Sequence, residues 1–137
     1  MILFENSIIK LDYNPATDII AVEYPDLHQY LLPEIKHTID IMVDIIKSYD
    51  IKKLLLDSRR TLIDVTEEES REIASYMAAG VMKTRIQKVA RIQSPSEKIE
   101  KTSEANIKHI SETHALPFQL LNFTNKEAAI EWLRQAE

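Results

Sequence analysis

Short apolar runs of strand length alternate with capped, amphipathic segments along nearly the whole chain. That alternation constrains the fold more than any other feature. Ile9, Leu11 and Tyr13 alternate with Ile8, Lys10 and Asp12, a period of two that reads as a strand. Asn14-Pro15-Ala16-Thr17-Asp18 is turn chemistry, because Pro15 fixes φ and Asn14 and Asp18 can bond nearby backbone. Ile19 to Tyr24 is then a second strand, stopped by Pro25-Asp26, and the two make an N-terminal hairpin. Pro33 suits a first helical turn. Behind it Ile35, Ile39, Met42, Val43 and Ile46 fall on one stripe, which Ile41 and Ile45 widen, so the helix is expected to be buried on more than one side. Lys53-Leu54-Leu55-Leu56-Asp57 reads as a strand covered on both faces.

Three later helices open on the same device, a hydroxyl residue followed three places on by Glu. Thr66 precedes Glu69, Ser94 precedes Glu97 with Pro95 at the first helical position, and Thr124 precedes Glu127. The spacing predicts helices over 67–82, 95–113 and 125–136, the last two preceded by strand-like 88–92 and 118–123. The predicted order is β-β-α-β-α-β-α-β-α. It describes one α/β domain over residues 1–137, with a mixed sheet of about five strands, an N-terminal hairpin and a mostly parallel core. The four later strands are expected to be mutually parallel and the first antiparallel at the edge. In the last helix Trp132 and Leu133 share an apolar face with Ala129 and Ala136, which predicts a largely buried Trp132.

Composition excludes several function classes. The chain has no Cys, so disulfide scaffolds, thiolate-bound zinc and thiol chemistry are out. Its single Gly, Gly80, leaves no glycine-rich phosphate loop. A net charge of -5 argues against a nucleic-acid module, which usually carries a basic face. No apolar stretch is long enough to span a membrane, and the N-terminus lacks a basic segment before an apolar run, so a cytoplasmic location is expected. No cofactor is implied. His28 and His37 lie across a break, and His109 and His114 are about 140° apart around a helix, so neither pair presents two imidazoles to a metal. Glu67-Glu68-Glu69, with Asp64 nearby, complements a helix N-terminus. With no nucleophile, base or metal set to assemble, a non-enzymatic role is expected.

Two features carry functional interest. Asp57-Ser58-Arg59-Arg60 directly follows a predicted parallel strand, at the end of the sheet where ligands of open α/β folds bind. Paired arginines there could hold a phosphate or carboxylate. Arg91, odd within an apolar strand, is expected to pair with a carboxylate such as Asp57. The second feature is the helix Ile73–Met82, small or soft all round, with Tyr76, Met77 and Met82 adaptable to an irregular partner or an apolar ligand. Lys83, Arg85 and Lys88 follow it, where a helix C-terminus favours cations.

The strand ending Leu54-Leu55-Leu56-Asp57-Ser58-Arg59, a helix, then Lys88-Val89-Ala90-Arg91-Ile92 and a closing Phe123-x-Asn125-x-Glu127-Ala128-x-x-x-Trp132-Leu133 resemble the SpoIIAA-like, or STAS/SEC14-like, small bacterial proteins. The hairpin, with Tyr13 before its turn, agrees. In signalling members of that group a Ser or Thr in a D-S-S/T-G motif is phosphorylated. The matching stretch here is Asp64-Val65-Thr66-Glu67, which keeps the Asp and the hydroxyl at Thr66 but departs at Val65 and replaces the Gly with Glu67. A phosphate on Thr66 would face Glu67, Glu68 and Glu69, so Thr66 is expected to be a helix cap. The resemblance implies a non-enzymatic STAS-like regulatory module acting by protein contact, including self-association as a homodimer. Its alternative is a carrier or sensor of a small apolar, lipid-like or acidic ligand at the carboxyl end of the sheet, near Arg59, Arg60 and the Tyr76–Met82 helix. A contiguous apolar patch on that helix favours the first, a deep cavity beneath it the second.

Overall fold

The structure, a computed structural model, describes residues 1–28 and 31–135. The elements are β1 (Ile2–Glu5), β2 (Lys10–Asn14), β3 (Ile19–Glu23), β4 (Leu27–His28), α1 (Leu32–Ser48), β5 (Lys53–Asp57), β6 (Ile63–Asp64), α2 (Glu67–Val81), β7 (Lys88–Ile92), α3 (Glu97–Thr113), β8 (Gln119–Phe123) and α4 (Lys126–Arg134). Six strands form one mixed sheet in the order β1-β2-β3-β5-β7-β8, while β4 and β6 form a separate parallel pair. As expected, β3, β5, β7 and β8 are mutually parallel and β2 runs antiparallel to β3.

The edge is corrected. β1 pairs antiparallel with β2 and takes the edge position that the sequence reading gave to the hairpin's first strand. Ile2-Leu3-Phe4 is too short a run to show a period. What holds β1 is tertiary: the Met1 ammonium donates to the Asp12 carboxylate at 3.0 Å and to the Tyr13 carbonyl at 3.0 Å. The hairpin turn is built as its residues predict. The Asp18 N–H donates to the Asn14 carbonyl, Asn14 Oδ1 accepts from the Ala16 N–H, and Asp18 takes a left-handed φ of 59°, which Asp tolerates better than most residues.

Strand order follows chain order, so right-handed crossovers set their helices on a single face of the sheet. α1 packs on α2 and α2 on α3 over that face, burying Leu11, Ile20, Val22, Leu54, Leu56 and Val89. α4 alone covers the other face, where Ile19, Leu55, Ala90 and Ile92 meet Ala129 and Leu133. β5 is therefore covered on both sides, as its unbroken apolar run predicts. α1 buries Ile35, Ile39, Met42, Val43 and Ile46, with Ile41 and Ile45 half-buried.

The single glycine serves the α1–α2 approach. A Cβ built on Gly80 would lie 2.7 Å from Val43 Cγ2. Gly80→Ala gains helix propensity of about 1 kcal/mol but overpacks this contact, which typically costs about 1–3 kcal/mol. A net loss of stability is expected. A double-mutant cycle with Val43→Ala should show a favourable coupling of about 1 kcal/mol; additivity would mean the two helices simply move apart.

Helix starts agree at one position and differ at two. Thr66 caps α2 as predicted: its hydroxyl accepts from the Glu69 N–H at 3.1 Å, and the Glu69 carboxylate accepts from the Thr66 N–H at 3.0 Å. α3 begins later than predicted, with Ser96 as its cap accepting from the Ile99 N–H, while Ser94 Oγ accepts from the Ser96 N–H. Ser94 lies two residues before the cap, its own N–H donating to the Glu100 carboxylate at 2.8 Å. α4 is capped by Asn125, which accepts from the Ala128 N–H at 2.8 Å, and not by Thr124. The predicted end of that helix at Ala136 lies outside the described residues. Thr66→Ala is expected to cost about 1 kcal/mol, with Thr66→Ser and Thr66→Asp restoring most of it. Denaturant midpoints that leave all three variants equal to the parent would remove the cap from the account.

Trp132 is corrected. It is half-buried, whereas Ala129 and Leu133 are fully buried on the face of α4 that meets the sheet. Its ring packs at 5.6 Å on Phe123, and Lys88 Nζ lies 4.9 Å above it. Lys88 is itself buried and donates to the carbonyls of Trp132 and Gln135, at 3.0 and 2.8 Å, so a cation closes the C-terminal end of α4.

Candidate functional site

A cavity of about 100 Å³ lies between the sheet and the pair α2–α3. The sheet supplies Leu54, Leu56, Val89 and Leu120, which point to the helix face by the two-residue alternation of parallel strands. α2 supplies Ala74, Met77, Ala78 and Val81, and α3 supplies Ile99, Ile107 and Ile110. The small side chains at positions 74 and 78 leave the space that larger ones would fill. These residues make most of the wall apolar.

Polar groups gather where β5 and β7 end. Ser58, Thr61, Tyr24, Arg91 and Ser103 all line the cavity. The Thr61 hydroxyl donates to the Tyr24 carbonyl at 2.9 Å, and the Ser58 N–H donates to the Ile92 carbonyl at 3.1 Å, which fixes the loop after β5. Burial pushes the Tyr24 phenol up to about 12, with Arg91 working weakly the other way, so Tyr24 presents a neutral hydroxyl.

Arg91 does not pair with Asp57. It stands in register with Leu56, so it points to the helix face, whereas Asp57 is one residue on and points to the opposite face. Its partner is Glu100, in the first turn of α3. Nη1 and Nη2 donate to the two carboxylate oxygens at 2.8 and 2.7 Å, and Nη2 also donates to Ser103 Oγ at 3.0 Å. Both side chains are largely buried, so the pair survives desolvation only by being bidentate and further bonded. Burial alone would raise the Glu100 carboxyl. The hydrogen bonds from Arg91 and from the Ser94 N–H outweigh it and hold that group below the usual carboxylate range.

The residues singled out in the sequence divide between places. Ser58 and Met77 are buried and face the cavity. Asp57 and Arg59 pair with each other, Nη2 donating to Oδ2 at 2.7 Å and Nε to Oδ1 at 3.0 Å. That bond holds the Asp57 carboxyl below its usual range. Arg60 is exposed at a separate hollow whose lining it shares with the carboxylates of Glu23, Asp26 and Asp57. Tyr76 faces α1, its hydroxyl donating to Asp40 Oδ1 at 2.6 Å. Met82 is the half-buried C-cap of α2, outside the cavity lining, and Thr66 is exposed at the other end of that helix. Among the described residues no three His, Asp or Glu side chains converge as a metal would need, and no helix is long and apolar enough to cross a membrane.

Sequence reasoning missed the contribution of α3. Its inward stripe runs Ile99, Ser103, Asn106, Ile110, with two polar residues set between apolar ones at helical spacing. Polar residues within a buried stripe were the signal available. The chain matches no protein-family model, no curated protein and no solved structure.

Proposed function

We propose that this protein is a non-enzymatic binding module that carries or senses a small apolar ligand held between α2, α3 and the sheet. One observation carries the reading: the soft helix has a cavity beneath it, walled by Ala74, Met77, Ala78 and Val81, with hydroxyl groups at the strand ends. Pockets of this kind, apolar with a few convergent polar groups, are the usual form of small-molecule sites. Size limits the ligand. An engineered cavity of about 150 Å³ binds benzene, so about 100 Å³ suits a small ring or short branched chain and not a whole lipid. An acidic ligand has less support, since Arg59 is held by Asp57 and Arg91 by Glu100.

The SpoIIAA-like, STAS-type reading, a regulatory module acting through protein contact or self-association, is the alternative; the order of strands and helices supports it. The test is amide NMR of the full chain in benzene-saturated buffer. Shifts confined to residues around Met77, Val89 and Leu120, and abolished by Ala78→Leu without loss of fold, are expected. No shifts, or shifts that persist in Ala78→Leu, would overturn the cavity reading.

A further inference from the structure

On the solvent side of the α2–α3 seam lies a second hollow, of about 180 Å³, separate from the apolar cavity except that Asn106 borders both. Arg71 of α2 and Lys98, Lys101, Thr102 and Asn106 of α3 line it, with Glu67 the one carboxylate. Three cations therefore face one anion on a chain whose net charge is -5. None of the three cations forms an ion pair among the described residues, although Arg59, Arg85 and Arg91 each hold a carboxylate. Lys98 also stands in the first turn of α3, where the helix dipole disfavours a cation.

Two buried atoms at this seam lack partners. Arg71 Nε is a donor shut away from water with nothing to donate to. Asn106, 5% exposed, bonds Ser70 Oγ through Nδ2 at 3.2 Å while its Oδ1 accepts nothing. Buried polar groups are nearly always satisfied, so an orphan donor and an orphan acceptor on two residues that line one cationic hollow call for a ligand that carries both functions. A singly protonated phosphate group does: its anionic oxygens accept from Arg71 and the lysines, and its P–OH donates to Asn106 Oδ1.

We infer that the α2–α3 groove is a binding site for the hydrogen phosphate ion, which keeps one proton at neutral pH, with Arg71, Lys98 and Lys101 as its cationic ligands and Asn106 as the acceptor for the phosphate proton. This site is independent of the apolar cavity, and either can stand without the other.

The probe is inorganic phosphate, titrated into the full chain at low salt by calorimetry and amide NMR, with sulfate as the comparison because it carries no proton at neutral pH. Saturable phosphate binding is expected, with shifts at Arg71 and over Lys98–Thr102, and weaker binding of sulfate. Arg71→Gln and the double variant Lys98→Gln/Lys101→Gln should each lower affinity by about tenfold or more, as the loss of a charge-assisted bond predicts. The two lysines are exposed, so the double variant should melt with the parent and keep the test valid if Arg71→Gln is less stable. Binding that does not saturate, sulfate bound as tightly as phosphate, or an affinity indifferent to the lysine pair overturns the assignment.

Discussion

Glu100→Ala is expected to destabilise the protein by about 3–5 kcal/mol, because it leaves the Arg91 guanidinium buried without its counter-charge. Arg91 is 8% exposed and sits between Leu56 and Asn122 on the helix face of the sheet, so water does not readily replace the lost carboxylate. The same change frees the Ser94 N–H, which Glu100 also accepts, and so loosens the entry into α3. Urea midpoints of the parent and variant measure the loss. A cost under about 1 kcal/mol would mean that the pair is effectively solvated. Replacing both partners by apolar groups, Arg91→Met with Glu100→Leu, should recover most of the stability, since the cost lies in the orphaned charge more than in the bond.

The pair also sets an acid limit. The Glu100 carboxyl titrates lower in the folded chain than in the unfolded one, so on acidification the unfolded state takes up the proton first. Its contribution is complete above the ordinary carboxylate range and is lost as pH falls through the lowered folded value. Asp57, held low by Arg59, acts in the same direction. Melting temperature should therefore fall on the acid side, and Glu100→Gln should flatten part of that fall. An identical acid profile in Glu100→Gln would remove this carboxylate from the account.

Leu133→Ala is the second large effect, at about 2–5 kcal/mol, while Trp132→Ala should cost less, under about 2 kcal/mol. For a fully buried tryptophan the order would be reversed. Leu133 and Ala129 are the fully buried positions of α4, whereas Trp132 lies to the side, packed at a tilt against Phe123 beneath Lys88. Unfolding curves of the two variants decide between these faces; a larger loss at Trp132 would mean that α4 is rotated on the sheet. The sequence favoured Trp132 because an aromatic at three-and-four spacing from Ala129 and Ala136 looks like the centre of an apolar face. In the fold Ala129 admits the sheet closely enough for Leu133 to take the centre, and the larger ring is left at the margin.

Arg91 shows a different kind of limit. Its sequence neighbourhood demanded a counter-charge, and the fold provides one. Which carboxylate answers was not legible, because the choice depends on strand register. Alternation places Arg91 with Leu56, on the side of the sheet where α3 lies, and so selects Glu100 over Asp57. Ser94 is a second case. Its S-x-x-E spacing to Glu97 is sound local chemistry, but α3 starts two residues later, with Ser96 Oγ accepting from the Ile99 N–H and the Ser94 N–H donating to Glu100.

Local chemistry therefore determined β2, β3, β5, β7, β8 and the four helices, their order, the direction of the four parallel strands and the capping box at Thr66, because periodicity, turn residues and caps act over a few residues of chain; β1, β4 and β6 are too short to show a period and were not legible. Only the tertiary structure decided the identity of the edge strand, the partner of Arg91, the burial of Trp132, and the two hollows on either side of the α2–α3 seam. Each of those depends on which faces of elements far apart in sequence meet, and a side chain's spacing along its own segment does not encode what stands across from it.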